Sequence, residues 1–185
     1  MIQGKMVNLQ LMDASDIEQV REWRNSKEVA EFMLSRTIIT KEQQENWYNS
    51  IKDDPACIYW IIVMKNGQKI GLASLTKIDR ENHHAEPGLY IGIKEQRNSF
   101  AGMEAYYLLL NYGFEQLQLD KVYGTVLSNN TTAIKMNTSF GYTKEKTLKD
   151  ELTIDDVCYD VDKVVLYRQG FYKSKMASFF CRKIK

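Results

Sequence analysis

Histidine and proline are scarce in this sequence, at two residues each, and cysteine stands at three. His83 and His84 are adjacent; Cys57, Cys158 and Cys181 lie far apart, with no CxxC pair. Neither a zinc-ligand spacing nor a disulfide framework is present, so no metal is expected and a reducing, cytoplasmic setting fits. No apolar run approaches the ~18 residues of a membrane span. The start, MIQGKMVNLQLMDASD, has no apolar segment of the signal-peptide kind. An excess of one charge is missing too. Lys plus Arg number 25 against 24 Asp plus Glu, which removes the general electrostatic reason to expect nucleic acid as a partner. Without proline-rich, repetitive or low-complexity stretches, no linker divides the chain.

What is present suits a globular protein. Hydrophobic residues make up 44% and charged residues 26% of 185 positions, enough for one domain over 1–185 with a core of its own. Val7 to Leu11 alternates and reads as a strand. Asp13 or Ser15 is placed to cap a helix running to about Asn25, with Ile17, Val20 and Trp23 on one face. Thr40 and Gln43 form the capping-box signature of a second helix carrying Trp47 and Ile51. Two β-rich runs flank Asn66-Gly67 in CIYWIIVMKNGQKIGLASL, which predicts a hairpin with a type I′ turn. Further strands are expected over Ala85 to Ile93, Val122 to Leu127, Tyr142 to Leu148 and Cys158 to Tyr167. Helices are expected over about Gly102 to Gln118 and from Asn130 to near Gly141. Elements mixed in this order predict an α/β (α+β) architecture, a mostly antiparallel sheet flanked by helices.

The stretch YIGIKEQRNSFAGMEAYY, beginning at Tyr90, carries the chemistry. An apolar strand gives way to a short polar turn, and a helix follows at once. That arrangement aims backbone N–H groups and the positive end of a helix dipole at a phosphate. Arg97 can add a charge-assisted contact. Arg97-Asn98-Ser99-Phe100-Ala101-Gly102 resembles the [QR]-x-x-G-x-[GA] loop of the GNAT acetyltransferase superfamily, with Phe100 where the first glycine stands. Phe100 fits there if its φ is negative. Asn130-Thr131-Thr132-Ala133-Ile134-Lys135-Met136, leading to Phe140-Gly141-Tyr142, resembles the family's N-x-x-A-[IL]-x-[LM]-Y-x-x-x-G-[FY], with Asn137 in the tyrosine's place. Trp23-Arg24-Asn25 also looks like the family's first helix end, so the resemblance covers nearly the whole chain.

The resemblance implies a GNAT-type fold, a mixed twisted sheet that splays where acetyl-CoA, the co-substrate, inserts. It implies contacts to the thioester from Leu89, Tyr90 and Ile91. It implies pyrophosphate contacts from Arg97, Asn98, Ser99, Phe100, Ala101, Gly102 and Met103, and contacts to the pantetheine arm from Asn130 and Asn137. Acyl transfer to an amine needs a neutral amine, a polarised carbonyl and a proton for the departing thiolate. No Ser/His/Asp order or activated cysteine is evident, so direct attack in a ternary complex is expected. Glu86 is the first candidate base, acting through a water. His84, two residues earlier and facing the same way, is the alternative. Asn137 cannot give a proton as the family's tyrosine does, although it can hydrogen-bond the sulfur.

For the acceptor, Trp23, Arg24, Asn25, Met33 and Trp47, with Phe32 and Arg36, form the expected wall. This part resembles the GNAT branch that holds N-acetyltransferases for nucleotide-linked amino sugars and for ribosomal-protein N-termini. Aromatic faces beside an arginine suit a nucleotide. The leading acceptor is therefore a small-molecule amine, a nucleotide-linked amino sugar. Alternatives are a protein N-terminus and a polyamine, the latter drawn by Asp150, Glu151, Asp155, Asp156, Asp160 and Asp162. A reading of another class is a catalytically silent acetyl-CoA-binding module. Basicity favours an amine of low pKa. A lysine-like amine at ~10.4 is neutral in under ~0.1% of molecules at pH 7, an α-amino group near ~7.7–8.0 in roughly 10–15%. Dimers are common in the family, which leaves a homodimer open. The end, YKSKMASFFCRKIK, reads as a basic, frayed tail over about 173–185.

Overall fold

The structure, a computed structural model, describes residues 1–97 and 99–184. Asn98 and Lys185 lie outside the described residues. Among the described residues eight strands form one sheet: β1 (Ile2–Gln3), β2 (Val7–Leu11), β3 (Ile58–Met64), β4 (Lys69–Asp79), β5 (His84–Ile91), β6 (Lys121–Leu127), β7 (Thr143–Ile154) and β8 (Val157–Tyr167). Their spatial order is β1-β2-β3-β4-β5-β6-β8-β7. Helices α1 (Ile17–Asn25) and α3 (Lys41–Ile51) pack on one face, joined by the short α2 (Lys27–Ala30). On the other face lie α4 (Phe100–Glu115), α5 (Thr131–Ser139), α6 (Arg168–Lys173) and α7 (Lys175–Ile184). No helix among the described residues is long and apolar enough to cross a membrane.

Period-two alternation along β5 divides its side chains between the layers. Ala85, Leu89 and Ile91 join the main core with Ala105, Leu109 and Phe114 of α4. Tyr90 turns the other way, toward Val20, Trp23, Ile61 and Leu72. The pairing of β5 with β6 is the one parallel pair among the described strands, and it is brief. Only His84↔Lys121 and Ala85↔Val122 are in register. Beyond Ala85 the two strands part, and one edge of β5 is left without a partner.

Gly92, just past β5, shows how tightly the α1 face closes. A Cβ there would stand 2.2 Å from Cγ of Trp23, which is itself 5% exposed. Gly92→Ala is expected to cost about 2–3 kcal/mol through overpacking. Thermal unfolding should show a Tm lower by roughly 4–12 °C; an unchanged Tm would mean that the indole does not lie against this backbone.

Several local expectations change. The β3–β4 connection is not a type I′ turn, which needs positive φ at both central residues. Gly67 has φ +88 and Asn66 is not among the positive-φ residues. Gly67 N–H bonds Met64 O and Met64 N–H bonds Gln68 O, a three-residue loop closed by a glycine bulge. The cap position of α1 is Asp16, without a side-chain cap bond; Asp13 instead accepts from Ser15 N–H and Oγ. The end of the chain is a docked helix and not a frayed tail. Ser174 Oγ accepts from Ala177 N–H at 3.1 Å. Ala177 and Phe180, three apart on one face, are buried, with Phe180 against Tyr107 of α4. Lys173, Lys175 and Arg182 are exposed on the outer side, which is why the composition reads as a tail.

Candidate active site

The cleft opened by β5 and β6 ends at the N-terminus of α4. Gly92 N–H bonds Ile70 O on β4 at 2.8 Å. By alternation Tyr90 N–H also faces β4, opposite Leu72, so the free edge belongs to Leu89 and Ile91. Those two, of the three strand residues expected at the thioester, present backbone to the cleft; Tyr90 belongs to the opposite face. Arg97 folds back onto the strand end, Nε donating to Ile91 O and Nη2 to Gly92 O, each at 3.1 Å. The guanidinium thus fixes the strand-to-helix turn and leaves its charge beside it.

Ser99 precedes α4 and makes no cap bond to its first turn; its hydroxyl donates to Gln96 O at 2.6 Å. No acidic residue occupies that turn. A sixteen-residue helix therefore presents its N-terminal N–H groups and dipole to the cleft. Phe100 is the first helical residue and is absent from the positive-φ set, so the conformation that would demand glycine does not arise. Its ring is 61% exposed and stacks on Phe179 of α7 at 6.0 Å. Ala101 and Gly102 are buried; a Cβ on Gly102 would lie 3.4 Å from Ile91, which sets how closely α4 approaches β5. Met103 packs at the edge of the main core.

On the α1 face, beneath Tyr90, is a cavity of about 500 Å³ bordered by Arg24, Gln44, Trp47, Tyr59 and Tyr90. Trp47 meets Tyr59 edge-to-face at 5.1 Å. Burial pushes the Tyr59 hydroxyl up to about 12, and it pushes Tyr90 higher still, against the pull of nearby Arg24. Burial also draws the Arg24 guanidinium below its usual value. Asn25 clamps the loop that roofs the cavity, with Nδ2 donating to Ile39 O and Oδ1 accepting Ile39 N–H, both at 2.9 Å. Trp23 is core against Gly92, and Met33 does not border the cavity. Gln44 and Tyr59 were not anticipated. Gln44 lies three residues before Trp47 on the same helix face, and Tyr59 shares a strand face with the buried Ile61, signals that point both inward.

The acid–base candidates lie toward the other end of β5. Glu86 pairs with Lys77 Nζ at 2.6 Å. His84 Nε2 stands 3.7 Å from Asp79, its ring meets the edge of Tyr123 at 5.2 Å, and its buried Nδ1 has no partner. Six residues separate His84 from Tyr90, about 20 Å of strand, so His84 borders a different cavity. Glu86 is nearer, three residues from Leu89. Asn130 caps α5, accepting Ala133 N–H at 3.0 Å. Asn137 is half-buried; its carbonyl accepts from Phe140 and Tyr142 N–H, and no hydrogen bond engages its side chain among the described residues. No metal-binding cluster occurs among the described residues.

A splayed parallel pair, an uncapped helix start and a cavity under the same strand thus lie together around β5. The sequence model of the Acetyltransferase (GNAT) domain matches residues 7–143. The chain belongs to the GNAT family of acetyltransferases and uses acetyl-CoA as co-substrate. Among its relatives, the Uncharacterized N-acetyltransferase p20 of Bacillus licheniformis is 29% identical over 148 residues, 78% of this chain and 83% of the relative. The spermidine N(1)-acetyltransferase of Vibrio cholerae is 22% identical over 168 residues, 91% of this chain and 96% of the relative. A crystal structure of the Vibrio cholerae spermidine N-acetyltransferase with CoA and spermine matches at TM-score 0.85 and 20% identity, covering 91% of this chain and 99% of that one. At that identity the likeness is one of fold. These relatives give the amino-sugar expectation no support.

Proposed function

We propose that the protein transfers the acetyl group of acetyl-CoA directly to a primary amine seated in the cavity beneath Tyr90. The observation that carries this is the opening of β5 from β6 at Ala85, which leaves backbone donors of Leu89 and Ile91 beside the uncapped start of α4. In this reading those donors polarise the thioester carbonyl, and α4 holds the pyrophosphate. The neutral amine attacks the carbonyl carbon, the C–S bond breaks, and the thiolate takes a proton from solvent. Glu86 receives the amine's proton through a water, and the side chain of Asn137 hydrogen-bonds the sulfur.

The acceptor favoured by the cavity is an amino sugar carried on a nucleotide, with Trp47 and Tyr59 as aromatic walls and Arg24 for phosphate. A polyamine is the second reading, supported by the spermidine acetyltransferases among the relatives. Against it, much of the acidic strip is already engaged: Asp155 with Arg36, Asp160 with Lys149, and Asp162 with Lys144. An assay of free CoA thiol over nucleotide-linked amino sugars, short peptides and spermidine separates them. The highest kcat/KM is expected for an amino sugar; spermidine as the best substrate would replace this acceptor with the polyamine.

A further inference from the structure

The cavity beneath Tyr90 contains donors that the fold leaves unused. Gln44 is 4% exposed and its Nε2 has no partner. The buried Tyr90 hydroxyl has none either. Arg24 forms no ion pair among the described residues; its hydrogen bond is from Nη2 to Ser35 O at 3.3 Å. All three border one cavity of about 500 Å³, and no carboxylate is among its described lining residues. A buried polar group without a partner is costly to a fold. Such groups persist where a ligand completes them. Here the ligand must bring hydrogen-bond acceptors and negative charge.

The geometry points to an anion subsite in which Arg24, Gln44 and Tyr90 bind a carboxylate or phosphate that the acceptor carries beside its amine. This rests on the transferase reading and narrows its substrate class. Arg24 supplies the charge-assisted bond, Gln44 Nε2 and the Tyr90 hydroxyl the neutral ones. The amine is then held on the Tyr90 side, next to Leu89. A free polyamine brings only cations and meets Arg24 as a like charge.

The test uses the full chain loaded with CoA, so that the phosphate loop is already filled. Glucosamine against glucosamine 6-phosphate, alaninamide against alanine, and spermidine alone are titrated by calorimetry. At least one member that carries the carboxylate or phosphate is expected to bind about 10-fold or more tightly than the counterpart that lacks it. Which pair shows the difference tells phosphate from carboxylate. Arg24→Gln should abolish the preference. Gln44→Leu should weaken the anionic member by roughly 10-fold while Tm stays level or rises, because an apolar group replaces an orphan amide. Equal affinities within both pairs, spermidine as the tightest ligand, or no binding by any of the five would overturn the subsite. Failure to bind CoA itself would strike the transferase reading instead.

Discussion

Phe100→Glu is expected to weaken acetyl-CoA binding by about 100-fold and to leave the fold nearly as stable as before. The two effects have opposite electrostatic signs. Position 100 is the first residue of α4, where a carboxylate favours the helix by about 0.3–1 kcal/mol through the dipole. Loss of the stacked contact with Phe179 removes a similar amount. A carboxylate about 5 Å from a pyrophosphate charge is repelled by roughly 3 kcal/mol at an effective dielectric constant near 20. That corresponds to about two decades in Kd. Calorimetric titration with acetyl-CoA and a parallel thermal melt read both quantities. An unchanged Kd would mean that the pyrophosphate does not sit at the start of this helix.

Glu104→Ala is expected to cost about 3–5 kcal/mol of stability. Glu104 is 1% exposed and accepts three backbone N–H groups: Lys5 at 3.0 Å, Met6 at 2.7 Å and Val7 at 2.9 Å. The carboxylate of α4 thus ties down the β1–β2 turn from a position 97 to 99 residues further along the chain. Alanine removes the acceptor and leaves these donors without bonds, each costing about 1–3 kcal/mol where water cannot reach. At this chain length Tm should fall by roughly 6–20 °C. Glu104→Gln keeps one acceptor oxygen and should lose about half as much. Equal, small losses in both variants would show that the turn is held by other contacts.

The sequence was most legible where chemistry is local. The capping box of Thr40 and Gln43 is present in full, and Asn130 caps α5 as its position suggested. Phe100 fits the turn because a helix N1 position needs only negative φ. The strands follow from the alternation of apolar residues, and the mixed sheet is what the family resemblance implied. Less legible were features that several distant segments build together. Glu104 looks like a surface acid until residues 5–7 arrive beside it. Gln44 and Tyr59 become cavity residues only when α3 lies across β3. The docked α7 was hidden because Ala177 and Phe180 supply a narrow apolar face amid basic residues. Among the described residues the three positions nominated for chemistry, His84, Glu86 and Asn137, form no hydrogen bond or ion pair with one another; motif spacing carries no distance between elements.

Amide hydrogen exchange of the protein with and without CoA tests the location of the cofactor most directly. Added protection is expected in the segment from Leu89 to Met103, which holds the unpaired edge of β5 and the first turn of α4, with a smaller effect at the start of α5. Protection confined to other segments, or no change at saturating CoA, would contradict the placement of acetyl-CoA in the cleft between β5 and β6.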